Sequence, residues 1–145
     1  MPAETSGTLY VAEPGGRYTP QPPLVVDCSV LAAVLFDEPE RESAALTMAG
    51  KELFAPDLLD HALVSVALKK SRLGLTRIAE QALEDLAQIR LTRCAVNART
   101  QLEMAEKLNL TAYDAAYVLL AADLAASLVT FDRTLGLAAK EVLYS

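Results

Sequence analysis

Two short apolar runs, each ending in an acid, constrain this chain more than any other feature. LVVD (24–27) and SLVTFD (127–132) are rich in β-branched residues, and each gives way at once to helical spacing. A continuously apolar run of this length reads as a strand buried on both faces, as in parallel sheets. ELFAP (52–56) and IRLTRC (89–94) read as two further strands. Between them, SVLAAVLF (29–36) is helical, Pro39 opens a second helix to Gly50, and Asp57 caps a long helix to Leu73 that Gly74 stops. Thr76–Gln88 places Ile78, Ala82, Leu83 and Leu86 on one face, Asn97 caps a helix to Leu108, and Thr111 starts another to Leu124. Arg133–Ala139 reads as a short helix and EVLY (141–144) as a last strand. Strands alternating with helices predict a three-layer α/β/α sandwich around a central parallel sheet.

Residues 1–23 hold five of the seven prolines and three of the six glycines, so this leader reads as a flexible extension or loosely docked arm preceding a single domain at 24–145. TLYVAEP within it could add a short edge strand. The domain is large enough to bury a core without disulfides. Cys28 and Cys94 are far apart in apolar settings, which reads as two free thiols in a reducing compartment. With no run long enough to span a bilayer, the expected location is the cytoplasm.

A net charge of −6 argues against a protein held to nucleic acid by bulk charge. It leaves room for a nuclease, which needs local carboxylates and only a local basic path. Lys69, Lys70, Arg72 and Arg77, then Arg90, Arg93 and Arg99, fall close together, and a solvated helix face is the simpler account of them.

Parallel α/β folds build their sites at the carboxyl ends of the strands. Asp27 and Asp132 stand there, and Asp114 lies in the first turn of the helix that Thr111 begins. Each has a plain structural account. Asp27 and Asp132 suit helix caps, and Thr111 with Asp114 fits a T-x-x-D capping pattern. Brought together, two such charges about 4 Å apart repel by roughly 4 kcal/mol at an effective dielectric of 20. A hard divalent cation removes that penalty, and oxygen ligands suit Mg²⁺ or Mn²⁺. Zinc is disfavoured because His61 is the sole histidine and the cysteines lack ligand spacing.

VVDCSVL (25–31), LTAYDAAYVLLA (110–121) and LVTFDRTL (128–135) together resemble the PIN-domain family, in particular the VapC-like toxins of toxin–antitoxin pairs. The order and spacing of the three match over about residues 24–143. The resemblance implies a metal-dependent endoribonuclease in which Asp27, Asp114 and Asp132 take three of four acidic places that bind Mg²⁺ or Mn²⁺. It makes Ser29 and Thr130 the flanking hydroxyl residues. It also implies an RNA substrate, a cognate antitoxin protein and a homodimer; no membrane partner is expected, because no apolar run is long enough to span a bilayer. The chemistry would be metal-assisted phosphodiester hydrolysis.

One place departs from the pattern. The family's second acid is a Glu six residues after a proline, and in APDLLDHALVSVALKK (55–70) that place is Ala62. Asp60 lies about 200° and His61 about 100° round the helix from it. Leu58, Leu59, Ser65 and Val66 share its face, and none is a carboxylate. Impaired activity is therefore expected, and a catalytically silent PIN-like module that binds RNA or a protein partner is the alternative. His61 reads as a surface residue, and Tyr113 and Tyr117 read as packing residues. Receiver-domain and haloacid-dehalogenase chemistries are disfavoured, because the first strand lacks an adjacent acid pair and position 29 is Ser where D-x-D would need an acid.

Overall fold

The structure, a computed structural model, describes residues 7–14 and 21–144. Its sheet has five strands in the order β1-β5-β2-β3-β4. These are β1 (Tyr10–Ala12), β2 (Pro23–Val26), β3 (Glu52–Pro56), β4 (Leu91–Cys94) and β5 (Ser127–Thr130). The last four run parallel, and β1 lies antiparallel on β5. The helices are α1 (Cys28–Leu35), α2 (Arg41–Met48), α3 (Leu59–Arg72), α4 (Thr76–Gln88), α5 (Ala98–Leu108), α6 (Ala112–Leu124) and α7 (Arg133–Leu143).

Successive strand residues point to opposite faces, and the two cores follow that alternation. Leu24, Val26, Ala55 and Val129 join one core with side chains from α1 to α4. Val25 and Leu128 join a second with Tyr117, Val118 and Ala121 of α6 and Leu135 and Ala139 of α7. Helices therefore cover both faces of the sheet, and the expected α/β/α sandwich is the one observed. No helix among the described residues is long and apolar enough to cross a membrane.

Several local expectations change. EVLY does not form a strand but extends α7 to Leu143. No turn residue separates it from the preceding helix, and the free edge of β5 is already taken by β1. The strand offered by TLYVAEP forms over Tyr10–Ala12, so part of the leader is built into the sheet. Residues 1–6 and 15–20, on which the expected flexibility of the leader otherwise rests, lie outside the described residues. Asp57 does not cap α3. Leu58 takes that position, and the Asp57 N–H donates to Cys94 O at 3.0 Å, prolonging the β3–β4 ladder. Pro39 stands in the turn before α2, which starts at Arg41. On α4 the buried residues are Ala79, Ala82 and Leu86, whereas Ile78 is exposed. The small side chain of Ala79 faces the crowded core, and the larger Ile78 is turned outward.

Candidate functional site

The parallel strands end on one edge of the sheet, and the chain turns there into helices. Asp27 follows β2, and its N–H donates to Val129 O at 3.1 Å, carrying the ladder one residue further. Its backbone is at the N-cap of α1, but its carboxylate makes no capping bond. That side chain is committed elsewhere. Oδ2 accepts from Ser29 Oγ at 2.7 Å and from Thr130 Oγ1 at 2.7 Å.

Each hydroxyl is itself an acceptor. Phe131 N donates to Ser29 Oγ at 3.1 Å, and Asp132 N donates to Thr130 Oγ1 at 2.9 Å. A hydroxyl that receives a backbone N–H has its own proton free to give, and both give it to Asp27. Asp27 is 7 % exposed and Thr130 fully buried, so the network lies out of bulk water. Charge-assisted bonds of this kind fix the plane of a carboxylate. Oδ1 takes part in neither bond.

Asp132 is exposed and caps α7, its Oδ1 accepting from Leu135 N at 3.1 Å. The helix-cap account thus holds for Asp132 and fails for Asp27. Asp114 stands in the first turn of α6, where its N–H donates to Thr111 Oγ1 at 3.1 Å, the capping bond expected of T-x-x-D. Burial pushes the Asp114 carboxyl up to about 6, and the charges of Asp27 and then Asp132 push it the same way. The three acids thus share one electrostatic field. They do not form a closed cage, because no group of three His, Cys, Asp or Glu side chains among the described residues is gathered tightly enough to hold a metal ion. Their donor chemistry fits a hard divalent cation: all the oxygens are carboxylate or hydroxyl, and one carboxylate is crowded by its own kind.

Ala62 is half-buried near the start of α3, the helix that follows β3 beside β2. Its neighbour Asp60 is not available to replace the missing acid. Arg93 holds it with two bonds, Nε to Oδ2 at 2.9 Å and Nη2 to Oδ1 at 2.8 Å. That guanidinium keeps the Asp60 carboxyl below its ordinary range. His61 is exposed, as its surface reading requires. The Asp60–Arg93 clamp joins positions 33 residues apart and escaped the sequence reading.

The tyrosines separate. Tyr113 is 68 % exposed, while Tyr117 is packed in the second core. The Tyr117 hydroxyl is buried without a hydrogen-bond partner among the described residues. Burial and then the Asp27 charge push the Cys28 thiol up to about 12, so it is an inert neighbour of the site. Two members of the basic cluster are spent on acids: Lys70 pairs with Glu38 at 3.6 Å and Arg93 with Asp60. A cavity of about 560 Å³ lined by Val34, Glu38, Arg41 and Leu46 lies at the other end of α1 from Asp27 and plays no part in this arrangement.

Comparison with known proteins agrees with this architecture. The PIN domain model matches residues 24–141. Ribonuclease VapC3 of Pyrobaculum aerophilum is 32% identical over 119 residues, spanning 77% of this chain and 91% of that protein. The crystal structure of PAE2754 from Pyrobaculum aerophilum superposes with a TM-score of 0.63 at 23% identity, covering 81% of each chain, and is similar in fold. A family model that spans most of the chain, together with a relative aligned over nearly its whole length, places this protein in the PIN domain family.

Proposed function

We propose that this chain is a metal-dependent endoribonuclease of the PIN toxin type, with Asp27, Asp114 and Asp132 as its metal-holding acids. The observation that carries the reading is the state of Asp27: a buried carboxylate held by two hydroxyls on one oxygen, with the other left over, and an Asp114 carboxyl raised first by burial and then by the Asp27 charge. A structural cap needs neither feature. The similarity to a protein named a ribonuclease supports RNA as the substrate.

Mg²⁺ or Mn²⁺ bound here would polarise a phosphodiester and lower the pKa of an attacking water. The protein's own part is positional. Ser29 and Thr130 fix the Asp27 carboxylate and keep its Oδ1 presented. Asp132 keeps one oxygen on the α7 N-terminus and offers the other. Asp114, raised first by burial and then by the Asp27 and Asp132 charges, would bind a cation as the carboxylate, so binding there would compete with its proton.

Ala62 removes one carboxylate from that set, so cleavage by this sequence is weak. A second reading, a silent PIN-like module that binds RNA or a protein, draws on the same position and on the commitment of Asp60 to Arg93. An antitoxin partner, a cytoplasmic location and a homodimer complete the proposal, the dimer supported by exposed Val64, Leu68, Leu73 and Ile78 on α3 and α4 and in the turn between them. The test is cleavage of single-stranded RNA with Mn²⁺ by the protein and by Ala62→Glu. Cleavage that rises with the added carboxylate and disappears in Asp27→Ala supports the enzyme. RNA binding that survives both changes, without cleavage, supports the silent module.

A further inference from the structure

The family model begins at residue 24, yet the sheet begins at Tyr10. Strand β1 pairs with β5 in the register Tyr10↔Thr130, Val11↔Val129 and Ala12↔Leu128. Its seat is specific. Ala12 is 1% exposed in the second core. A Cβ built on Gly136 of α7 would lie 2.6 Å from Tyr10 Cβ and 2.8 Å from Cγ, so only glycine lets the helix and the strand meet. Lys140 Nζ stands 6.0 Å from the centre of the Tyr10 ring. Further out, Gly7 N donates to Glu40 Oε2 at 3.3 Å, tying the segment to the start of α2.

The register carries a consequence for the acids. Tyr10 pairs with Thr130, the last residue of β5, and the Thr130 hydroxyl joins the Asp27 carboxylate to the Asp132 N–H. Without β1, Thr130 would end a strand on an open sheet edge, where backbone order is weakest. We propose that the N-terminal arm is a positioning element of the acidic site, pairing with Thr130 so that its hydroxyl orients Asp27 and fixes the chain entering α7. The inference rests on the metal-site reading above for its functional consequence and on the register alone for its structural one.

Gly136→Ala in the full chain is the test. Alanine favours a helix over glycine, so α7 keeps its own stability while the new methyl meets Tyr10. Tyr10→Gly removes the side chain that packs on Gly136 and leaves α7 unchanged, and it carries the same readouts should Gly136→Ala fail to fold. The expected result is faster amide exchange at residues 10–12 and, with it, at Asp132. Mn²⁺ affinity should fall about tenfold, the scale seen when a partner behind a metal ligand is lost. Leu63→Ala, a core change on α3 away from the arm, should cost stability with no loss of Mn²⁺ affinity. An Asp132 amide that stays protected while residues 10–12 exchange freely overturns the proposal, as does unchanged Mn²⁺ affinity in the unseated variants. If the unaltered protein binds no Mn²⁺, the metal-site reading fails and the Asp132 amide alone decides the role of the arm.

Discussion

Replacing Asp114 by Asn should stabilise the metal-free protein at neutral pH. The Asp114 carboxyl is raised from an ordinary 3.8 to about 6, first by burial and then by Asp27 and Asp132. A raised value means that the folded protein holds this proton more tightly than the unfolded chain does. The penalty is absent below about pH 3.8, grows as pH rises, and is complete above about pH 6. The difference of about two pH units corresponds to about 3 kcal/mol at 1.36 kcal/mol per pH unit. Asp114 is only half-buried, and screening by solvent brings a realistic cost to about 1 kcal/mol. Asn keeps the shape and removes the charge. Urea unfolding without metal should place Asp114→Asn about 1 kcal/mol above the parent at pH 7.5, worth a few degrees in Tm for a domain of this size. The gain should shrink at pH 4.5 and vanish below about pH 3.8, where Asp114 is protonated in the folded and unfolded chains alike. Added Mn²⁺ should reverse the order, stabilising the parent and not the variant, because a ligand that binds only the folded state stabilises it. A loss of stability at pH 7.5 in Asp114→Asn, or an equal gain at both pH values, refutes the reasoning.

Other sites give further expectations. Thr130→Val keeps the shape and deletes a buried hydroxyl that serves both Asp27 and the Asp132 N–H; chemical denaturation should show a loss of about 1.5–3 kcal/mol, the range for a hydrogen bond to a charged group. Tyr117→Phe removes a buried hydroxyl with no hydrogen-bond partner, so the same assay should find it neutral or stabilising by about 1 kcal/mol. Arg93→Ala breaks the ion pair with Asp60, whose side chains are 32% and 43% exposed; solvent screening limits the cost to about 1 kcal/mol or less. Mn²⁺ binding should be unchanged in that variant, since Asp60 faces away from the Ala62 side of α3.

The parts of this fold that were legible in the sequence are those whose pattern is local. LVVD and SLVTFD announce buried strands because no charged residue interrupts them before the terminal acid, and Asn97 and Thr111 announce helix starts because a cap reaches only three residues ahead. Where several local solutions compete, the pattern misleads. Asp57 looks like a cap, but its backbone is drawn into the β3–β4 ladder. EVLY looks like a strand, but β1 already occupies the edge it would need. The edge strand itself spans three residues, too few for a period to show, and its reason for existing is the fit of Tyr10 against Gly136. At the site, the positions of Asp27 and Asp132 follow from strand ends. The direction of the hydroxyl bonds and the clamp on Asp60 are products of tertiary structure. They join Thr130 to Asp27 across 103 residues and Arg93 to Asp60 across 33, separations that no periodicity marks.

Whether Asp27, Asp114 and Asp132 hold a divalent cation is decided by calorimetric titration of the metal-free protein with Mn²⁺, beside Asp27→Asn, Asp114→Asn and Asp132→Asn. The unaltered chain should bind saturably, and more tightly as pH rises through about 6, where Asp114 loses its proton. Each of the three variants should lose that binding. Binding that persists undiminished in Asp27→Asn, or an unaltered protein that takes up no Mn²⁺ at any pH, would contradict that role of the three acids.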